Sequence, residues 1–99
     1  MRRVIPTAFP EDPFVIDSEM LGRAVRAART QSGMTLEDAA LSLGVSKQTL
    51  QDFEKGTGGV SLAKALHIMQ GLGVSLFAVP ARERNLVAQA IKAGVRDGA

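Results

Sequence analysis

Lys47, Gln48, Thr49, Gln51 and Asp52 crowd into one short stretch, and their side chains are of the kind that read base-pair edges. A Gln amide carries the donor and acceptor that match adenine, Lys donates to guanine, and an acid accepts from the amino group of cytosine. Leu50 and Phe53 interrupt the polar run three residues apart. A helix here therefore turns those two inward and leaves the polar set outside.

Two helices and a tight turn must position that face. Leu36, Ala39, Ala40 and Leu43 recur at i, i+3, i+4 and i+7, the apolar side of a first short helix. Thr35 is its expected N-cap, and Glu37 and Asp38 sit in the first turn, where negative charge is favourable. Gly44 ends it in a left-handed conformation, Val45 follows as a buried peg, and Ser46 caps the second helix. Residues 35–56 thus read as a helix-turn-helix pattern, with residues 46–54 lying in the major groove.

Composition narrows the field. With 99 residues, 45% of them apolar, the chain makes one small domain with a modest core. No apolar run nears the roughly 18 residues of a membrane span. The N-terminus lacks a long apolar stretch of the signal-peptide type, so a cytoplasmic location is expected. The absence of cysteine excludes disulfides and cysteine-based metal sites. With no Trp, no Tyr and four scattered Phe, stacking platforms for single strands are not expected. A net charge of only +2 is weak for a nucleic-acid binder, which argues for a dimer or for a favourable local arrangement of charge.

Catalysis finds no constellation. His67 stands between Leu66 and Ile68 with no acid at ligand spacing, and reads as a surface or partly buried helix residue. Glu37/Asp38 and Glu11/Asp12 are adjacent pairs at a helix start and in a loop. Neither supplies a nucleophile with a base, so the chain reads as a non-enzyme without cofactor or metal.

In chain order, residues 1–16 form an irregular arm, broken by Pro6, Pro10 and Pro13 and bearing Val4, Ile5, Phe9, Phe14, Val15 and Ile16. Arg2 and Arg3 suggest a basic arm on DNA. The apolar majority favours a segment lying on the domain or on a partner chain. Asp17 or Ser18 caps a helix that runs to Ser32, with Leu21, Val25 and Ala28 on one face and Arg23 and Arg26 on the other. Arg29, late in that helix, reads as a buried partner of Glu54 in preference to a phosphate contact. After Gly56, the glycines at 58 and 59 lack the Lys-Ser/Thr ending of a phosphate loop and follow a helix, so they read as a turn. Lys55 beside them is a candidate phosphate contact.

Ser61 caps a fourth helix with Leu62, Ala65, Leu66 and Met69 at helical spacing, ended by Gly71 and Gly73. Residues 74–79, VSLFAV, are apolar, β-favouring and bounded by Gly73 and Pro80. A lone strand must pair. The candidates are residues 4–5 or 14–16 of the same chain, or, preferred here, the same strand of a second copy. A last helix over residues 80–95 carries Leu86, Val87, Ala90 and Ile91 and ends in a frayed tail.

The stretch LGRAVRAARTQSGMTLEDAALSLGVSKQTLQDFEKG resembles the Xre/Cro-type helix-turn-helix family, the likeness running from Leu21 to Leu72, about half of the chain. The resemblance implies a pair between Arg29 and Glu54, a turn glycine at Gly44, and base reading by Lys47, Gln48 and, one turn later, Asp52. It also implies flanking contacts from Thr49 and Gln51. The following GVSLAKALHIMQGLGVSLFAV is similar to short antitoxins of HipB type. That likeness implies a dimer joined through the strand, operator binding, and a HipA-type kinase toxin as partner. Two departures stand out. The loop at residues 57–60 carries no basic residue, and Asp52 occupies a position often held by Gln, where it must accept from a cytosine or pair with a neighbouring Lys.

The fold expected is all-α, a lambda-repressor-like helix-turn-helix domain of four to five helices, with a short C-terminal β-strand used in dimerisation. Its parts are the arm (1–16), the DNA-binding domain (17–73), and the dimerisation strand with the final helix (74–99). Phosphate contacts are expected from Arg26, Thr35, Ser46, Thr49, Gln51 and Lys55, and dimer contacts from Val74, Leu76, Phe77 and Val79. The expected function is that of a dimeric repressor on a palindromic operator, with half-sites roughly 34 Å apart. A protein-interaction module on the same fold is the alternative.

Overall fold

Four helices begin at a side-chain oxygen that accepts from the backbone three residues on, which satisfies an amide the helix itself leaves orphaned. Asp17 Oδ1 accepts from Met20 N at 2.8 Å, Thr35 Oγ1 from Asp38 N at 3.1 Å, Ser46 Oγ from Thr49 N at 3.0 Å, and Ser61 Oγ from Lys64 N at 3.1 Å. These caps open α1 (Ser18–Gln31), α2 (Leu36–Leu43), α3 (Lys47–Lys55) and α4 (Leu62–Gly71). A 3-10 turn (Ala81–Glu83) leads into α5 (Arg84–Gly98), three residues beyond the predicted end at 95. The structure, a computed structural model, describes residues 3–98, so Arg2 of the expected basic arm lies outside the described residues.

Gly44 and Gly56 close α2 and α3 at φ of +71° and +76°. Only glycine takes that left-handed region without a side-chain penalty. The core is built from Val25 on α1, Ala39, Ala40 and Leu43 on α2, Leu50 and Phe53 on α3, and Ala65, Ile68 and Met69 on α4. Val25, Leu50, Ile68 and Met69 are the largest side chains removed wholly from water. The face α4 buries differs from the expected one. Leu62 and Leu66 are exposed and Ile68 takes the inward position, so the stripe lies one position around the helix. Val45, expected as a buried peg, is half-buried against the core.

The expected C-terminal strand is absent: residues 74–80 have no helical or strand structure, and there is no strand among the described residues. A strand exists only where its amides and carbonyls meet a partner ladder. Residues 9–15 of the arm line a cleft with this segment and form no ladder with it. Phe9, Val15 and Leu21 face Leu76, Phe77 and Ile91 across a cleft of about 670 Å³. The arm is fixed at Thr7, whose amide donates to Thr30 Oγ1 at 2.9 Å while its carbonyl accepts from Gln31 Nε2 at 2.8 Å. The Arg84 guanidinium sits 5.8 Å from the centre of the Phe14 ring, tying arm to α5.

Candidate nucleic-acid interface

α3 is held from behind by α1 and α2, which leaves its polar face outward. The strongest tether is Arg29. Its Nε and Nη2 donate to Glu54 Oε2 and Oε1 at 2.6 and 2.9 Å, and its Nη1 donates to the Met34 carbonyl at 2.8 Å. One guanidinium thereby joins the end of α1, the turn before α2 and the end of α3. Both charged side chains are over nine-tenths buried, at 8% and 7% exposure. Burial of the Arg29 side chain, with its charge met by Glu54, favours the structural pair over a phosphate contact.

A second tether was not singled out in the sequence. Gly22 packs its α-carbon face against the backbone of α3: a β-carbon there would lie 2.5 Å from Glu54 O and closer still to Phe53 O. A glycine inside a helical pattern, where it costs about 1 kcal/mol against Ala, was the available signal. His67 also holds the motif together. Its Nε2 donates to the Leu43 carbonyl at 2.7 Å, linking α4 to the end of α2.

On the outer face, Lys47 and Gln48 are exposed at the start of α3 and Asp52 is half-buried one turn on. Each already has a partner. Lys47 Nζ meets Glu37 Oε1 at 2.7 Å, an exposed pair across the turn between α2 and α3. Gln48 Nε2 donates to Asp52 Oδ1 at 2.9 Å. Lys47 is thus engaged with Glu37, and the carboxylate of Asp52 meets the Gln48 amide. Gln and Asp four apart on a helix are neighbours, so this contact was open to inference from spacing. The Lys47–Glu37 pair spans two helices and was not.

Of the candidate phosphate contacts, Thr35 and Ser46 serve as helix caps, and Ser46 Oγ also donates to Thr49 Oγ1 at 2.8 Å. Gln51 is half-buried on α3, Lys55 is exposed at its end, and Arg26 is exposed on α1. The outer side of α3 is polar, with Lys47, Gln48 and Lys55 exposed on it. A helix about 10–12 Å across fits a major groove about 12 Å wide. No helix among the described residues is long and apolar enough to cross a membrane.

This arrangement is that of a helix-turn-helix protein, and the family's sequence model matches residues 25–79; the chain belongs to that family. Two curated relatives, both described as uncharacterized HTH-type transcriptional regulators, come from Sinorhizobium medicae (strain WSM419) and Rhizobium meliloti (strain 1021). Each is 39% identical over 54 residues, 54% of this chain, and the match spans only 39% of the relative's length. Among solved structures, a HipB-O4 20mer complex superposes with a TM-score of 0.61 at 25% identity, covering 69% of this chain and 96% of that one. A HipA-HipB-O2-O3 complex gives 0.62 at 24% identity with the same coverage, a likeness of fold.

Proposed function

We propose that this chain is a dimeric, sequence-specific DNA-binding regulator that represses transcription, acting as the antitoxin of a toxin–antitoxin pair. The observation that carries the reading is the exposed, polar outer face of α3, held by buried tethers on the opposite side. Lys47 and Gln48 reach base edges in the major groove. Arg26, Thr35, Ser46, Thr49, Gln51 and Lys55 supply the phosphate side of the contact. The shared fold with HipB, seen elsewhere bound to DNA, supports operator binding. The resemblance of residues 59–79 to HipB-type antitoxins is what suggests a HipA-type kinase as toxin partner.

Selection from a randomised duplex library, followed by titration of the enriched duplex, tests this. Binding should weaken steeply as salt rises, because phosphate contacts release counterions. Lys55→Ala should weaken operator and random duplex alike and lower the salt slope by about 1. Gln48→Ala should instead relax preference at one base pair, by roughly 1–3 kcal/mol. Equal loss on selected and random duplex in Gln48→Ala would remove its base-reading role.

The dimer is proposed to form through residues 74–79, with Val74, Leu76, Phe77 and Val79 meeting their counterparts on a second copy. Leu76 is 50% and Phe77 66% exposed in the single chain, and the backbone there has no ladder partner among the described residues. The Val74 amide is bonded back to the Met69 carbonyl at 2.8 Å, and an apolar segment without a ladder beyond it is a template for pairing. Light scattering should report a dimer for the intact chain and a monomer for the double variant Leu76→Glu, Phe77→Glu. A dimer that survives both charges places the interface elsewhere.

A further inference from the structure

We propose that Asp52 is a positioning residue that sets the orientation of the Gln48 amide, and does not read a base of its own. The inference rests on the base-reading role proposed for α3. The Asp52 carboxylate is held on one side by a hydrogen bond and bordered on the other by a loop. Oδ1 accepts from Gln48 Nε2 at 2.9 Å. On its other side lies the loop after α3: a β-carbon on Gly58 would stand 2.8 Å from Asp52 Cβ and 3.1 Å from Oδ2. The loop is itself fastened to Asp52, whose carbonyl accepts from Thr57 N at 2.9 Å and from Thr57 Oγ1 at 3.3 Å. The lack of a side chain at Gly58, at φ +84°, is what leaves room for the carboxylate.

The chemistry of that contact is one-directional. An ionised carboxylate only accepts, so Gln48 must turn its NH₂ group, and never its carbonyl oxygen, toward Asp52. One amide hydrogen is thereby engaged. The second hydrogen and Oε1 remain, on an exposed side chain at the start of α3. That donor–acceptor pair, in that fixed order, is the one adenine accepts through N7 and N6 in the major groove. The flipped amide would present the reverse order, and the carboxylate forbids it. Asp52 thus narrows what Gln48 reads, from a half-buried seat beside the loop.

The test uses the full chain and a randomised duplex library, with wild type, Gln48→Ala, Asp52→Asn and the double variant. Asparagine keeps the shape against Gly58 but offers either a donor or an acceptor, so both orientations of Gln48 become allowed. The base pair whose preference vanishes in Gln48→Ala should lose its preference in Asp52→Asn as well, on the order of tenfold. The double variant should be no worse there than Gln48→Ala alone. Binding of Asp52→Asn to random duplex should hold or tighten, since a negative charge is gone, whereas simple structural damage weakens both. An Asp52→Asn protein that retains the Gln48-dependent preference overturns the proposal. So does loss at a different base pair that Gln48→Ala leaves intact, since Asp52 would then read a base itself.

A measurement without DNA separates the contact from its use. In the free wild-type protein, one Gln48 side-chain amide proton should be shifted and slow to exchange by NMR, and Asp52→Asn should abolish the difference. Identical Gln48 amide signals in the two proteins overturn the proposal. If the NMR signature is present but wild type enriches no motif, base reading by α3 has failed and the positioning role falls with it, leaving a contact of structural use only.

Discussion

Glu54→Ala should destabilise the fold by about 3–5 kcal/mol, because it strands a buried guanidinium. Arg29 and Glu54 are each over nine-tenths buried and meet through two parallel hydrogen bonds, at 2.6 and 2.9 Å. The bond from Nη1 to the Met34 carbonyl survives the substitution, but it supplies no negative charge. Exposed ion pairs are typically worth less than 1 kcal/mol, so the Lys47–Glu37 pair provides an internal contrast. Breaking it with Lys47→Ala should leave stability nearly unchanged. Arg29→Lys should fall between, since an ammonium keeps the charge but loses the fork. Replacing both partners together, as Arg29→Met with Glu54→Leu, should recover much of the loss, because the cost lies in the unpaired charge and not in the missing pair. Chemical denaturation measures each case. A cost below about 1 kcal/mol for Glu54→Ala would show that the pair is solvated like a surface one.

Gly22→Val should cost at least about 3 kcal/mol, at or above the usual range for overpacking. The obstacle is backbone: the carbonyl oxygens of Phe53 and Glu54 stand where the new β-carbon must go. Side chains can rotate away from an intruder, but a helix backbone moves only with the whole helix. Gly22→Ala is the graded companion. It gains roughly 1 kcal/mol of helix propensity and still meets the same oxygens, so its net loss should be smaller. Gly71 offers the control, since a β-carbon there meets only the end of the Leu43 side chain, which can turn aside. A Gly22→Val melting temperature equal to that of wild type would mean that α1 and α3 slide apart freely. In that event the orientation of α3 would not depend on their contact.

These two tethers share one stripe of α1. Gly22 and Arg29 are seven residues apart, two helical turns, and both face α3. The glycine sets how close the helices come and the arginine sets where the end of α3 stops. Rigid support behind a polar face is what lets a short helix present side chains at defined positions, and a loose support would spread them. The proposed reading of base edges by Lys47 and Gln48 depends on that support as much as on the two side chains themselves.

Helix starts and stops were legible in the residues because their causes are local. Thr35, Ser46 and Ser61 cap because a hydroxyl next to an apolar periodic run has amides within reach. Gly44 and Gly56 terminate because the left-handed region admits little else. The inward turn of Leu50 and Phe53 followed from spacing alone. What tertiary structure decided were contacts between elements. The approach of Gly22 to α3, the Lys47–Glu37 pair across the turn and the seat of Asp52 against Gly58 each depend on how two segments are placed in space. The same holds for residues 74–79. Their composition favours a strand, but pairing is a property of a neighbour, and within one chain the arm lies across a cleft from them without a ladder. Local chemistry chose the helices; the distances between them chose which side chains are free to act.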